Sequence, residues 1–250
     1  MKIKVINPNT TVSMTEKIGI AAQAVANSGT EIIATSPSMG PVSIEGHYDE
    51  ALSVVGLLEE IRKGEAEGVD GYVIACFGDP GLLAARELTR RPVVGIAEAA
   101  MHAASLISTS FSIVTTLSRT RIIAQHLVEN YGMNKFCRNI RSTDIAVLEL
   151  ETDSNARKII TGECRKALVE DGAEAIVLGC SGMADLAKEI SQEIGAPVID
   201  GVGTAVKFVE ILVCLGLETS KVGSLSFPIS KPYTGALRSF TVDLLHEFTS

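Results

Sequence analysis

Excess positive charge is missing from this chain: 22 Lys and Arg stand against 30 Asp and Glu, a formal net charge of −8. Nucleic acid asks for a basic surface, so this balance argues against that class of partner. No run of 18 apolar residues occurs, so no membrane-spanning helix is expected, and no membrane partner is expected. The amino terminus enters a short apolar strand at Lys2–Asn7 with no hydrophobic core of a signal peptide, and a soluble, cytoplasmic protein is expected. The phosphate-cradling run Gly-x-x-x-x-Gly-Lys-Ser/Thr is absent, and Gly201-x-Gly203 lacks the third glycine of a dinucleotide fingerprint. No Cys-x-x-Cys or His-x-x-x-His spacing occurs, and His47, His102, His126 and His246 are scattered, so no metal site is expected. The five cysteines are an odd number in a chain without a secretion signal, which argues against a disulfide framework.

What is present is a folded-protein composition, 46% hydrophobic over 250 residues, enough for one large or two medium domains. The most informative stretch is Tyr72-Val73-Ile74-Ala75-Cys76-Phe77-Gly78-Asp79-Pro80-Gly81. Its apolar run reads as a buried parallel strand, and the turn residues after Cys76 end it. The thiol therefore sits at a strand's carboxyl end, where open α/β sheets place their ligands. The pattern recurs at Ala175-Ile176-Val177-Leu178-Gly179-Cys180-Ser181-Gly182-Met183. Cys180 lies 104 residues after Cys76, and Pro197 lies 105 after Pro92, so the register of landmarks holds within one residue. An internal duplication follows: two similar α/β halves with mainly parallel sheets, each presenting one cysteine to a cleft between them. The second half begins near residue 108. The expected division is residues 1–107 plus about 205–250 for one domain and 108–204 for the other.

Around these motifs, Lys2–Asn7 reads as the first strand and Asn7-Pro8-Asn9-Thr10-Thr11 as the turn into a helix near Val12, with Thr11 or Ser13 as its cap. Residues 31–36 read as a strand. The loop after them carries Ser43-Ile44-Glu45-Gly46-His47-Tyr48, and a helix is expected near Ala51–Lys63. His47 could serve as acid or base, although a lone histidine in a polar loop is more often a surface residue. Phe111–Thr116 repeats the first strand and ends in hydroxyls. Residues around Cys137–Glu151 read as irregular, and a helix from Ala205 to Leu215 is expected to pack back on the first half. The tail from 216 onward has no legible role beyond one last amphipathic stretch.

A free thiol has a pKa near ~8.5, and the start of a following helix is expected to lower it. One thiolate and one thiol in a shared cleft can take a proton from one face of a carbon and return one to the other. A single nucleophilic cysteine, as in a hydrolase or decarboxylase, would need an activating histidine and an oxyanion hole. A binding module of two α/β halves remains a third possibility, but it leaves the matched cysteines unexplained. Cys137, Cys164 and Cys214 lack this duplicated setting and read as packing residues.

Over essentially its whole length the chain resembles the aspartate/glutamate/hydantoin racemase family, with Val5-Ile6-Asn7-Pro8-Asn9-Thr10, Ala75-Cys76-Phe77-Gly78-Asp79-Pro80-Gly81 and Leu178-Gly179-Cys180-Ser181-Gly182-Met183 as its marks. The Phe-Gly-Asp-Pro-Gly segment points to the hydantoin and allantoin branch. The resemblance implies a cofactor-independent two-base racemase with Cys76 and Cys180 as bases on opposite faces of a ring carbon, C5 of a hydantoin. The amino-acid racemases of the family keep an acidic residue after the first strand, Asn-Thr after the first cysteine and Thr-His after the second. Here the matching positions are Asn9, Phe77-Gly78 and Ser181-Gly182. Neutral donors and an aromatic face suit a flat, neutral ring. By the same comparison Asn9, Phe77, Gly78, Thr115, Thr116, Ser181 and Gly182 are expected to line the site, with Ser43 near its entrance. The polar loop at 43–48 would suit the ureido group of allantoin ahead of a general 5-substituted hydantoin. Small α/β enzymes of this kind often associate, and a homo-oligomer is expected.

Overall fold

A computed structural model describes residues 1–241, with the backbone alone at Glu151. Among these residues strand and α-helix alternate without exception. β1 (Lys2–Ile6), β2 (Glu31–Thr35), β3 (Gly71–Ile74) and β4 (Val93–Gly95) form one parallel sheet in the order β2-β1-β3-β4. β5 (Phe111–Thr115), β6 (Cys137–Ser142), β7 (Ala175–Gly179) and β8 (Val198–Ile199) form a second in the order β6-β5-β7-β8. The two orders are the same permutation, so β1 corresponds to β5 and β3 to β7. Parallel neighbours need crossovers, and the helices supply them. In the first sheet's segment these are α1 (Val12–Val25), α2 (His47–Ala66) and α3 (Leu82–Leu88), with α4 (Ile96–Ile107) leading to the second. There, α5 (Arg121–Asn130), α6 (Ala156–Glu170) and α7 (Ala187–Ile194) play the same part, and α8 (Gly201–Cys214) closes the series.

Buried parallel strands should be apolar on both faces, and β3 and β7 are buried at every position. One hydrophobic cluster runs through both sheets, from Ile3, Val5 and Val73 through Ala100 and Val206 to Phe111 and Val177. Each fully buried valine or isoleucine contributes about 1.5–3 kcal/mol, so this shared core ties the halves together. α8 returns to the first half, against α1, α4 and β3. Two further clusters cover the outer faces, one around Leu57, Ile61 and Ile74 and the other around Ile160, Leu178 and Ile190. No described helix is long and apolar enough to cross a membrane.

Three boundaries differ from the sequence reading. Residues Cys137–Ser142 form strand β6 where an irregular segment was expected. β6 is an edge strand and only Ile140 in it is buried, so it lacks the apolar run that betrays an inner strand. α2 starts at His47, four residues before Ala51, which places His47, Asp49 and Glu50 in its first turn. α8 starts at Gly201, before the expected Ala205, because Asp200 caps it: its carboxylate accepts the amides of Val202 at 2.9 Å and Gly203 at 2.7 Å. The described part of the tail lies along the first half, where Thr219 donates its amide to Arg90 and Phe227 sits under the Arg90 guanidinium. The expected amphipathic stretch falls mostly in residues 242–250, outside the described residues.

The turn after Cys76 is anchored by Asp79. Asp79 has φ 44°, a left-handed conformation that aspartate tolerates better than most residues. That conformation turns the carboxylate onto the start of α4, where it accepts the amides of Ala97 at 3.0 Å and Glu98 at 2.9 Å. Tyr131, from the second half, donates its hydroxyl to the same carboxylate at 2.7 Å. Room for this comes from Gly95, where an added Cβ would stand 2.2 Å from Asp79 Cγ. Gly95→Ala is therefore expected to destabilise the fold by about 1–3 kcal/mol, read as a lower urea midpoint. An unchanged midpoint would contradict the packing described.

Candidate active site

β3 and β7 end at one cavity. Ala75 and Cys76 follow β3 and Cys180 follows β7, and both cysteines line a cavity of about 50 Å³ with Asn9, Phe77, Gly78, Thr115, Thr116 and Ser181. Ser43 and Gly182 do not line it; Ile44 does, beside Ser43 in the chain. The walls are mainly apolar, with Met14, Ile123, Ala124 and Val147 added to Phe77. Cys76 and Cys180 are half-buried, whereas Cys164 is buried in α6 and Cys214 is exposed at the end of α8. Cys137 opens β6, away from this cavity.

The turn after β1 is held by its own amides. Asn9 Oδ1 accepts Asn7 Nδ2 at 2.8 Å and the Thr11 amide at 2.9 Å, and Asn7 Nδ2 also donates to Thr15 at 3.0 Å. Thr11 is the residue before α1, but its hydroxyl donates to the Val42 carbonyl at 2.7 Å instead of capping the helix. That bond, with Thr10 donating to Pro41, ties the 41–46 loop to the site. Across the cavity the hydroxyl of Thr115 donates to the Gly179 carbonyl at 3.2 Å, locking β5 to β7 just before Cys180.

The thiols are not activated as the sequence reading expected. Burial pushes Cys76 up to about 12, against the Gly78 amide that donates to it, and Cys180 up to about 11, against the Gly182 amide. The short helix α3 begins only at Leu82, and a 3₁₀ turn, Ser181–Leu186, follows Cys180, so neither thiol has a long helix behind it. Removal from water outweighs the local amides. The surroundings are unequal. Lys17, from α1, favours the Cys180 anion; its ammonium donates to the Gly182 carbonyl at 3.0 Å and pairs with Asp185 at 3.1 Å. Near Cys76 stand Asp79 and Glu50, which disfavour its anion. Of the two, Cys180 is the easier to ionise.

Lys17 and Glu50 were not singled out from sequence, and Glu45 only as a member of the polar 43–48 loop. Glu45 Oε1 accepts the amide of Val147 at 2.8 Å, joining the 41–46 loop to the second half. Glu50 lines the cavity. Its carboxylate lies 3.7 Å from His47 Nδ1, whose ring stacks on that of His126 with centroids 6.4 Å apart. His47 is thus an exposed partner of a cavity residue and does not itself line the cavity. Among the described residues no group of three His, Cys, Asp or Glu side chains is placed to hold a metal ion.

Residues 3–209 match the model of the Asp/Glu/Hydantoin racemase family. The chain belongs to that family. A hydantoin racemase of Pseudomonas sp. (strain NS671) is 54% identical over 96% of this chain and 97% of its own length, and one of Rhizobium meliloti is 49% identical over 94% and 98%. Among solved structures, allantoin racemase from Klebsiella pneumoniae superposes with a TM-score of 0.94 at 57% identity, covering 96% of this chain and 99% of that one. Allantoin racemase from Pseudomonas fluorescens gives 0.91 at 39% identity, covering 94% and 100%. An arylmalonate decarboxylase at 15% identity and TM-score 0.62 shares the racemase fold, over 85% of this chain and 92% of that one. Sequence similarity this extensive makes the chain a racemase of the hydantoin and allantoin type, hence an isomerase acting on a small molecule.

Because burial holds both thiols neutral, alkylation should rise about tenfold per pH unit through pH 9.5 without a plateau, with Cys180 labelled before Cys76. Lys17→Met should slow labelling of Cys180 and leave Cys76 little changed. A plateau near pH 7, located by peptide mapping to either cysteine, would contradict this ordering.

Proposed function

We propose that the protein racemises allantoin at C5 of its hydantoin ring, without cofactor, by proton transfer between Cys76 and Cys180. The observation that carries the reading is the placement of two thiols at equivalent strand ends of a duplicated fold, both lining one small cavity. In one direction the Cys180 thiolate takes the C5 proton as the C–H electron pair moves into the adjacent carbonyl, giving an enolate. The Cys76 thiol then gives its proton to the opposite face of C5 and becomes the thiolate. Nothing is oxidised or reduced, and the enzyme is left with its protons exchanged between the two sulfurs. A second turnover in the other direction restores it.

Burial helps as well as hinders. A thiolate whose conjugate acid has a raised pKa is a stronger base toward a weakly acidic carbon, although less of it is present. Asn9 and Thr116 are suited to hold the ring carbonyls as charge develops, and Phe77 offers a flat apolar face. The Thr115 hydroxyl is engaged by Gly179 and serves to position the strand that carries Cys180. Ser181 and the amides of Gly78 and Gly182 complete the polar surroundings of the sulfurs. A cytoplasmic homo-oligomer belongs to the same reading.

A second reading, a racemase of 5-substituted hydantoins in general, is favoured by the identity of 54% to a relative named for that activity. Circular dichroism of enantiopure allantoin and of an enantiopure 5-alkyl hydantoin, followed with enzyme and with the spontaneous rate subtracted, separates the two. Faster decay with allantoin supports the first reading, and faster decay with the alkyl ring supports the second. Cys76→Ser and Cys180→Ser should each lower racemisation by about 10²–10⁴-fold. Full activity in either variant would remove the two-thiol mechanism.

A further inference from the structure

The duplicated halves differ in where one carboxylate is carried. Each cysteine closes the same turn: Asp79 donates its amide to the Cys76 carbonyl at 3.0 Å, and Met183 donates its amide to the Cys180 carbonyl at 3.1 Å. Gly95 and Asp200 are likewise equivalent. Each precedes the helix that follows β4 or β8, with φ −82° and ψ 147° at Gly95 and φ −85° and ψ 131° at Asp200. Both helices have a carboxylate on their first free amides. At α8 it comes from Asp200 itself, which accepts Val202 at 2.9 Å and Gly203 at 2.7 Å. At α4 the preceding residue is a glycine, and Asp79 supplies the carboxylate from the turn after β3, accepting Ala97 at 3.0 Å and Glu98 at 2.9 Å. A cap alone asks only for an aspartate at position 95, as α8 illustrates. Carried on the cysteine's own turn, the same carboxylate also fixes where Cys76 stands relative to α4. The Tyr131 hydroxyl, at 2.7 Å, adds a third donor from the second half. Met183 offers no counterpart, because its side chain is buried in the outer cluster with Ile160 and Leu178.

We propose that Asp79, held by Tyr131, is a positioning residue for Cys76 alone, setting the reach of that sulfur to the ring carbon. The inference rests on the two-thiol reading and deepens it. Asp79 touches no substrate; it acts through the turn that carries the thiol. Without the tether Cys76 stands off its in-line position, and proton transfer is sensitive to such misplacement. The step at Cys76 is deprotonation of one enantiomer and reprotonation of the enolate formed from the other. Loss of the tether therefore slows opposite halves of the two directions and leaves the Cys180 step as it was.

The test exchanges the two residues, Asp79→Gly with Gly95→Asp, so that the first half takes the arrangement of the second. Glycine tolerates the φ of 44° at position 79, and its lack of a side chain vacates the space a Cβ at position 95 needs. The exchanged enzyme should recover most of the urea midpoint lost in Asp79→Gly alone, because α4 is capped again. Its kcat should stay about ten- to a hundredfold below wild type. The decisive readout is the isotope effect of deuterium at C5, measured for each enantiomer of allantoin or 5-isobutylhydantoin, whichever the wild-type enzyme turns over faster. It should rise for the enantiomer whose proton Cys76 takes and fall towards unity for the other. Tyr131→Phe, which keeps the ring and removes only the hydroxyl, should move both effects in the same directions by less, and it carries the test should the exchanged enzyme fail to fold. A wild-type rate in the exchanged enzyme, or a lowered rate with the isotope effects of the two enantiomers unmoved, overturns the proposal. Failure of the two-thiol reading shows separately, as full activity in Cys76→Ser.

Discussion

Two equivalent strands, β3 and β7, end at the same cavity and each is followed there by a cysteine, and that convergence is what the rest of the structure serves. It explains why the sheet order of the first half is repeated in the second and why a single hydrophobic cluster spans both. It also accounts for the ties that fix the turn after each strand. On one side Asp79 anchors the Cys76 turn to α4 and, through Tyr131, to the second half. On the other, Lys17 of the first half holds the Gly182 carbonyl beyond Cys180. Each half thus positions the other's sulfur, so neither forms its part of the site independently.

The electrostatics of the cavity follow from the same burial. Loss of water raises both thiols, and the charges around them then set the order of ionisation: Lys17 beside Cys180, Glu50 and Asp79 beside Cys76. The two sulfurs of the proposed racemisation therefore stand in unlike surroundings. The easier ionisation of Cys180 follows from Lys17 of α1, Glu50 of α2 and Asp79 after β3, none of them a base in the proposed chemistry.

The sequence made β3 and β7 legible because inner parallel strands are uninterrupted apolar runs, and their offset of 104 residues exposed the duplication. The polar edge strand β6 was hidden for the opposite reason, since Ile140 alone is buried in it. α8 was expected only from Ala205 because Gly201 and Gly203 are weak helix formers, and the Asp200 cap lets the helix begin at Gly201. Asn9, Phe77, Thr115, Thr116 and Ser181 were named through the family resemblance, and each adjoins a strand end in the chain. Lys17 and Glu50 were not, because only tertiary packing brings them near the cysteines. The direction of the thiol pKa values was misjudged for a related reason. A helix start is visible in a sequence, and the depth of burial that opposes it is not.

The central claim is that two separate groups handle the proton, one on each face of the carbon. Its most direct test is a short incubation of each pure enantiomer in D2O, stopped after a few per cent conversion, with deuterium at C5 measured separately in product and in recovered substrate. The account predicts deuterium in the product and almost none in the recovered substrate, in both directions. Equal labelling of product and recovered substrate would mean that one group serves both faces, and the two-thiol account would be wrong.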